Sequence, residues 1–155
     1  MAKSFDFKKL RRLVLVQGVV QVFLLALLLY MAFKFQGALK AEGRPQRFLH
    51  SVVTTLVIQL ALFYPLNRFA TRDAEREMAS ATTDLPVDEM KALRQKRLFS
   101  DYLKAAIFIF YTTFALRAPK DRFVLSIIFF SFILTFLTYF QCYNFAAKRL
   151  MKEKQ

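Results

Sequence analysis

Four apolar stretches divide the chain. Residues 13–33 form a run of 21 without a charge, residues 49–66 a run of 18 with only His50 titratable, and residues 123–147 a run of 25 without a charge. Residues 98–116 make a further stretch of 19, but Asp101 and Lys104 stand near its start and leave an uninterrupted run of only 12, residues 105–116. A helix rises about 1.5 Å per residue and the hydrocarbon layer is roughly 30 Å thick, so about 20 apolar residues carry a chain across. Three stretches meet that length outright. The stretch 98–116 crosses only if Asp101 and Lys104 lie at headgroup level, where Lys104 extends its ammonium to water and keeps its stem in the apolar zone; the alternative is a buried or interfacial half-helix. The short connection from Arg117 to Arg122 lets the strong span that follows insert beside it as a tight helical pair. The pattern therefore predicts an all-α polytopic membrane protein. It is a four-transmembrane-helix bundle in a single domain, residues 1–155, with spans at 13–33, 49–66, 98–116 and 123–147.

The segments between the spans differ in kind. Residues 35–46 hold Gly37, Gly43 and Pro45 and read as a loop. Residues 67–81 contain neither Gly nor Pro, and their charges alternate. Arg72 with Glu75, and Asp73 with Arg76, are spaced to meet on a helix surface. The second span is thus predicted to continue into the cytoplasm for several turns, with Pro65 as a site for a kink. Residues 82–86 break the pattern. Asp84 suits a helix start, Pro86 a first turn, and Asp88 and Glu89 the positive end of a helix dipole. From Met90 to Leu116 nothing interrupts a helix. Helices two and three are accordingly expected to extend into a cytoplasmic helical hairpin over residues 67–97.

Composition and charge sharpen this picture. Of 155 residues, 56% are hydrophobic and 23% charged, so apolarity above the soluble norm coexists with ordinary charge only because the two are segregated along the chain. With an even number of crossings, both termini share a side. Seventeen Lys and Arg flank the spans on that side and seven on the other. The positive-inside rule puts both termini and the central loop in the cytoplasm, as in a bacterial inner membrane. The first span is too long for a signal-peptide core and reads as an uncleaved anchor.

One Cys, one His and three Gly exclude disulfide frameworks, Cys-based zinc sites, bis-histidine haem and most phosphate-cradling loops. No cofactor or metal is expected. The net charge of +13 flanks membrane spans instead of building a compact basic fold, so anionic headgroups, not nucleic acid, are the expected partners. Lys8, Lys9, Arg11, Arg12, Arg94, Lys96, Arg97, Lys148 and Arg149 are the residues placed to meet them.

Polar residues within the spans recur at helical spacing: Gln17 and Gln21 in the first, Ser51, Thr55 and Gln59 in the second, and Ser131, Thr135, Thr138 and Cys142 in the fourth. Gln21 and Gln59 lie at similar depth and are expected to hydrogen-bond across helices. Such residues join helices at about 0.6 kcal/mol each, up to about 2. Proton-coupled or ion-coupled transport normally needs a titratable group at mid-membrane, and this chain supplies none there. His50 sits at the outer mouth of the second span, and Asp101 and Lys104 are expected to pair with each other or with headgroups. Of the 19 Phe, eleven fall in the last two spans, and Phe129, Phe132, Phe136 and Phe140 share one helix face. They supply packing bulk, or a surface for a partner helix or a long-chain lipid.

Short stretches resemble known families. Residues 10–17 and the four-span layout resemble the small accessory protein encoded beside bacterial ATP synthase subunits, but Ser100-Asp101 stands where that family carries Gly-Glu. Leu66-Asn67-Arg68 is similar to the Asn-Arg signature of polyprenol-linked sugar flippases, without the aromatic residues that follow there. The size and basic charge are shared with membrane glutathione-transferring enzymes, whose Arg and Glu ligands have no counterpart in residues 67–72. Each match covers under a tenth of the chain.

These residues imply a non-enzymatic accessory, assembly or scaffold subunit of a larger membrane complex, joined to other subunits or to itself through Phe-rich helix faces. The alternative is a transporter or flippase for a lipid-linked or small polar substrate. A lipid-modifying enzyme would need Asp101, His50 or Arg68 in one cleft.

Overall fold

Each apolar stretch nucleates a helix that runs on into its polar flanks. The computed structural model describes residues 6–117 and 120–154. Lys3 of the basic N-terminus, and Ala118 and Pro119 in the connection before the last span, lie outside the described residues. Four helices account for nearly all of the rest: α1 (Lys8–Ala41), α2 (Pro45–Ser80), α3 (Val87–Arg117) and α4 (Arg122–Glu153). Three of them, α1, α2 and α4, are long and apolar enough to cross a membrane.

The corner between α1 and α2 corrects the expected loop. Only Glu42, Gly43 and Arg44 separate the helices, because α1 continues through Gly37 to Ala41. A single interior glycine costs a helix only about 1 kcal/mol. Phe35 and Leu39, 7% and 1% exposed, offset that by packing inside the bundle. Gly43, at φ 71°, makes the stop. Its N–H donates to the Lys40 carbonyl at 3.0 Å and the N–H of Arg44 to the Leu39 carbonyl at 2.9 Å, which is a Schellman closure that needs a left-handed residue. Pro45 then opens α2 at a position where its missing N–H is harmless.

The other boundaries follow local chemistry. The carbonyl of Pro86 accepts the Met90 N–H at 3.0 Å, so Pro86 caps α3 and Asp84 lies two residues ahead of that cap. Asp88 and Glu89 occupy the first turn. Asp121 caps α4, its carboxylate accepting the Phe123 N–H at 3.0 Å. The α2 helix persists through Pro65.

The bundle is organised around α4. Helices α1 and α3 run antiparallel to α2 and α4: Lys9 at the start of α1 meets Glu77 near the end of α2, and Glu42 at the far end of α1 meets Arg122 at the start of α4. All three other helices touch α4, whereas α1 and α3 do not touch each other. The α2–α4 seam is built from small residues. Ser51, Thr55, Ala70 and Ala74 on α2 and Ser126, Ser131, Ala146 and Ala147 on α4 are buried, and such side chains let two backbones approach closely. Residues after Leu66 do not stand clear of the bundle. Ala70, Ala74 and Met78 form one core with Leu10, Tyr139, Tyr143, Ala146 and Ala147, because α1 and α4 extend alongside that part of α2.

Only Phe145 is an exposed large apolar residue of α4. By contrast α1, α2 and α3 each expose a row of them, such as Phe33 (72%), Leu60 (77%) and Leu116 (82%). Aromatic rings fasten α3: Phe108 lies 5.6 Å from Phe132 and 6.4 Å from Phe136, and Tyr111 lies 5.4 Å from Phe132. The buried Phe130 meets Phe35 of α1 at 5.7 Å and Phe48 of α2 at 6.3 Å. The Phe-rich face of α4 thus packs internally instead of facing outward.

Candidate functional site

Two polar nodes interrupt the apolar interior. The first joins three helices. Gln59 on α2 donates from Nε2 to the Ser131 carbonyl at 3.1 Å and to Thr135 Oγ1 at 3.0 Å, and Tyr111 of α3 approaches the same Thr135 hydroxyl at 3.4 Å. Gln59 therefore bonds α4, not Gln21, which sits half-buried on α1. Thr55 bonds within its own helix, donating to the Ser51 carbonyl at 2.8 Å. Thr138 is half-buried on α4, and Gln17 is half-buried with its Oε1 enclosed and unpartnered.

The second node centres on Asp73, which is 8% exposed. A buried carboxylate is tolerated only when donors and cations replace its water. The Ser100 hydroxyl of α3 reaches both carboxylate oxygens at 2.8 Å, sharing its one proton between them. The Tyr139 hydroxyl of α4 donates to Oδ2 at 2.6 Å. Lys104 Nζ lies 3.0 Å from Oδ2, and Arg76 3.6 Å from Oδ1. Lys104 also stands 3.7 Å from Asp101 and 5.1 Å from the centre of the Tyr139 ring. Asp73 is thereby the common acceptor for α3 and α4. Glu77, one turn further on, collects Lys9 from α1 at 3.3 Å and Arg97 from α3 at 3.7 Å.

Around these carboxylates lies a cavity of about 540 Å³, within the size range of small-molecule sites. It occupies the gap that α1 and α3 leave by not touching. Lys9, Leu13 and Gln17 form one wall; Met90, Leu93, Arg94, Arg97, Leu98, Asp101 and Lys104 the other; α2 and α4 supply the floor with Asp73, Arg76, Glu77, Tyr139 and Tyr143. Five Lys and Arg face three carboxylates. Arg94 has no carboxylate partner among the described residues. No set of three His, Cys, Asp or Glu among the described residues is placed to hold a metal ion.

Lys8, Lys9, Arg11, Arg12, Arg94, Lys96, Arg97, Lys148 and Arg149 are all exposed, and all lie at the end of the bundle that carries Asp73. Only Lys9, Arg94 and Arg97 among them line the cavity. His50 is exposed near the start of α2, and neither it nor Arg68 belongs to the cavity, whereas Asp101 does. Asp73, Ser100 and Tyr139 as a set escape a reading of the sequence. Asp73 appears there as one of an alternating surface charge pair, and its signal is its position between Ala70 and Ala74 on a stripe of small residues.

No protein-family model, curated protein or solved structure matches the chain.

Proposed function

We propose that this chain is a four-span integral membrane protein of the bacterial inner membrane, with α3 as the additional span, the α2–α3 turn and both termini in the cytoplasm, and a non-enzymatic accessory, assembly or scaffold role in a larger membrane complex. The observation that carries this reading is α3. That helix buries one residue, Ser100, against the rest of the chain, yet leaves Phe99, Tyr102, Ile109, Phe110, Phe114 and Leu116 exposed. Its apolar outer face is wider than its own bundle covers, which suits a partner helix or a second copy.

Purification in mild detergent is expected to return a stoichiometric membrane partner or a second copy. Phe110→Ala with Phe114→Ala should lower the chain's affinity for that partner about 30-fold, since truncating an aromatic anchor buried in an interface costs about 1 kcal/mol or more. A stable monomer at every detergent concentration overturns the assignment. Reporters fused after Glu153 and within the Gly43 corner should lie in opposite compartments.

The cavity beside Asp73, open at one end of the bundle, favours a second reading: a transporter or flippase for a lipid-linked or small polar substrate. The double change Gln21→Leu and Gln59→Leu separates the two. If the glutamines join helices, the loss of unfolding free energy in detergent is about 0.6–2 kcal/mol, nearly all of it from Gln59, because Gln59 alone bonds α4. If they line a route, transport in vesicles is lost while the unfolding midpoint stays put.

A further inference from the structure

The gap between α1 and α3 has features that a structural ion-pair network does not require. We propose that it is a binding site for the phosphate headgroup of one anionic phospholipid, seated between Lys9 of α1 and Arg94 and Arg97 of α3, with the acyl chains leaving through the opening between those helices. The inference rests on the membrane reading above and deepens it, from a general attraction of basic flanks to a discrete site.

Charge points to an anion. The lining has five cations against three carboxylates. Asp73 is already engaged by Ser100, Tyr139, Lys104 and Arg76, so its charge is spoken for within the floor. Glu77 holds Lys9 and Arg97 at 3.3 and 3.7 Å, on opposite walls, and so fixes the two cations that face each other across the gap. Arg94, on the same wall as Arg97 and without a carboxylate partner among the described residues, is the group left to present its fork of donors. Arginine presents such a fork to phosphate in two-point contacts.

Depth points to a headgroup. Asp73 lies 14 residues beyond Gln59 on α2, or about 21 Å along the axis. With Gln59 near the centre of the apolar belt, the Asp73 end of the cavity falls outside a hydrocarbon half-thickness of about 15 Å, at the headgroup layer, while Leu13 and Gln17 reach back toward the apolar zone. The walls then supply what chains need. Leu13, Leu93 and Leu98 line the gap, and Leu98 is 48% exposed, continuous with the bare apolar face of α3. A free phosphate compound would use the cations but not these leucines. Basic clefts between spanning helices on the cytoplasmic side are suited to anionic lipid headgroups.

The full-length protein in nanodiscs tests this, read by native mass spectrometry after release into detergent. With phosphatidylglycerol and phosphatidylcholine of identical chains, the native protein should retain one phosphatidylglycerol in preference to phosphatidylcholine. Arg94→Gln with Arg97→Gln should weaken retention roughly 30-fold, at about fivefold per cation. Lys148→Gln with Arg149→Gln, outside the cavity, should leave retention unchanged. Equal retention of both lipids, or equal loss in both double variants, overturns the site. If Arg94→Gln with Arg97→Gln does not fold, Arg94→Gln alone is read instead, and no change in retention overturns the site. Millimolar inorganic phosphate or glycerol phosphate that displaces the lipid completely would reassign the cleft to a soluble phosphate compound and overturn the lipid assignment. A chain that resists carbonate extraction but retains no lipid defeats this inference alone; a chain released by carbonate defeats the membrane reading itself.

Discussion

Asp73→Ala is expected to lower the unfolding free energy by about 3 kcal/mol and to loosen the first half of α3 from the bundle. Removing one member of a buried charged set costs about 3–5 kcal/mol, because the partners keep their desolvation cost without the interaction that offset it. The lower end applies, since the side chains of Lys104 and Arg76 are 35% and 31% exposed and can turn to water. Ser100 and Tyr139 are 2% and 6% exposed, and their hydroxyls would lose the carboxylate that accepts from both. The series should therefore be ordered. Tyr139→Phe removes one bond to a charged acceptor and should lose about 1.5–3 kcal/mol, whereas Asp73→Asn keeps an acceptor and should lose less than the alanine variant. Reversible unfolding in detergent gives the totals, and hydrogen exchange over residues 87–104 reports where the loosening occurs. Protection of α3 unchanged in Asp73→Ala would refute the role of this carboxylate as the fastening of α3. The rest of that helix has the rings of Phe108 and Tyr111 to hold it, so its second half should stay protected.

A comparable loss is expected from Ala147→Leu, or from Ala74→Leu, at the seam of the two central helices. Both alanines are 0% exposed and belong to the core that α2 and α4 share with Leu10 of α1. Small side chains let two helix backbones approach closely, and an interior packed at that density tolerates little added volume. A leucine at either place holds the backbones apart or forces a strained rotamer, costing about 1–3 kcal/mol. Once one leucine has held the helices apart the second costs little more, so a marked shortfall from additivity is the expected result for the two together. Leu60→Ala, at a side chain 77% exposed, should stay within about 0.5 kcal/mol of the parent. Equal stability of the leucine variants and the parent, measured in the same detergent, would contradict a small-residue seam.

The difference between these two sites explains what could be read in advance. An uncharged run of 18 to 25 residues needs no tertiary information to become a helix, and α1, α2 and α4 each contain one. The corner at residues 42–44 was harder to place, since Gly37 and Gly43 look alike in sequence. Burial of Phe35 and Leu39 carries the helix through the first, and the second takes the left-handed conformation that a side chain resists. The Asp73 node was hidden for another reason. Asp73 and Arg76 do pair within α2, at 3.6 Å, and that local pairing is all that neighbouring positions reveal. The shorter contacts come from Ser100, Lys104 and Tyr139, 27, 31 and 66 residues further along the chain. Local spacing says nothing about such partners.

By itself, then, the order of apolar and charged residues determined an all-helical chain of four elements, three of them of membrane-crossing length, because backbone hydrogen bonds within a helix depend on near neighbours alone. Tertiary packing decided the rest. It made α4 the hub, kept α1 and α3 apart, and gathered carboxylates and cations from three helices, with two tyrosines of α4, around one cleft. Those outcomes depend on which side chains approach closely enough to share a proton or exclude a lipid, and that distance is set by the whole bundle.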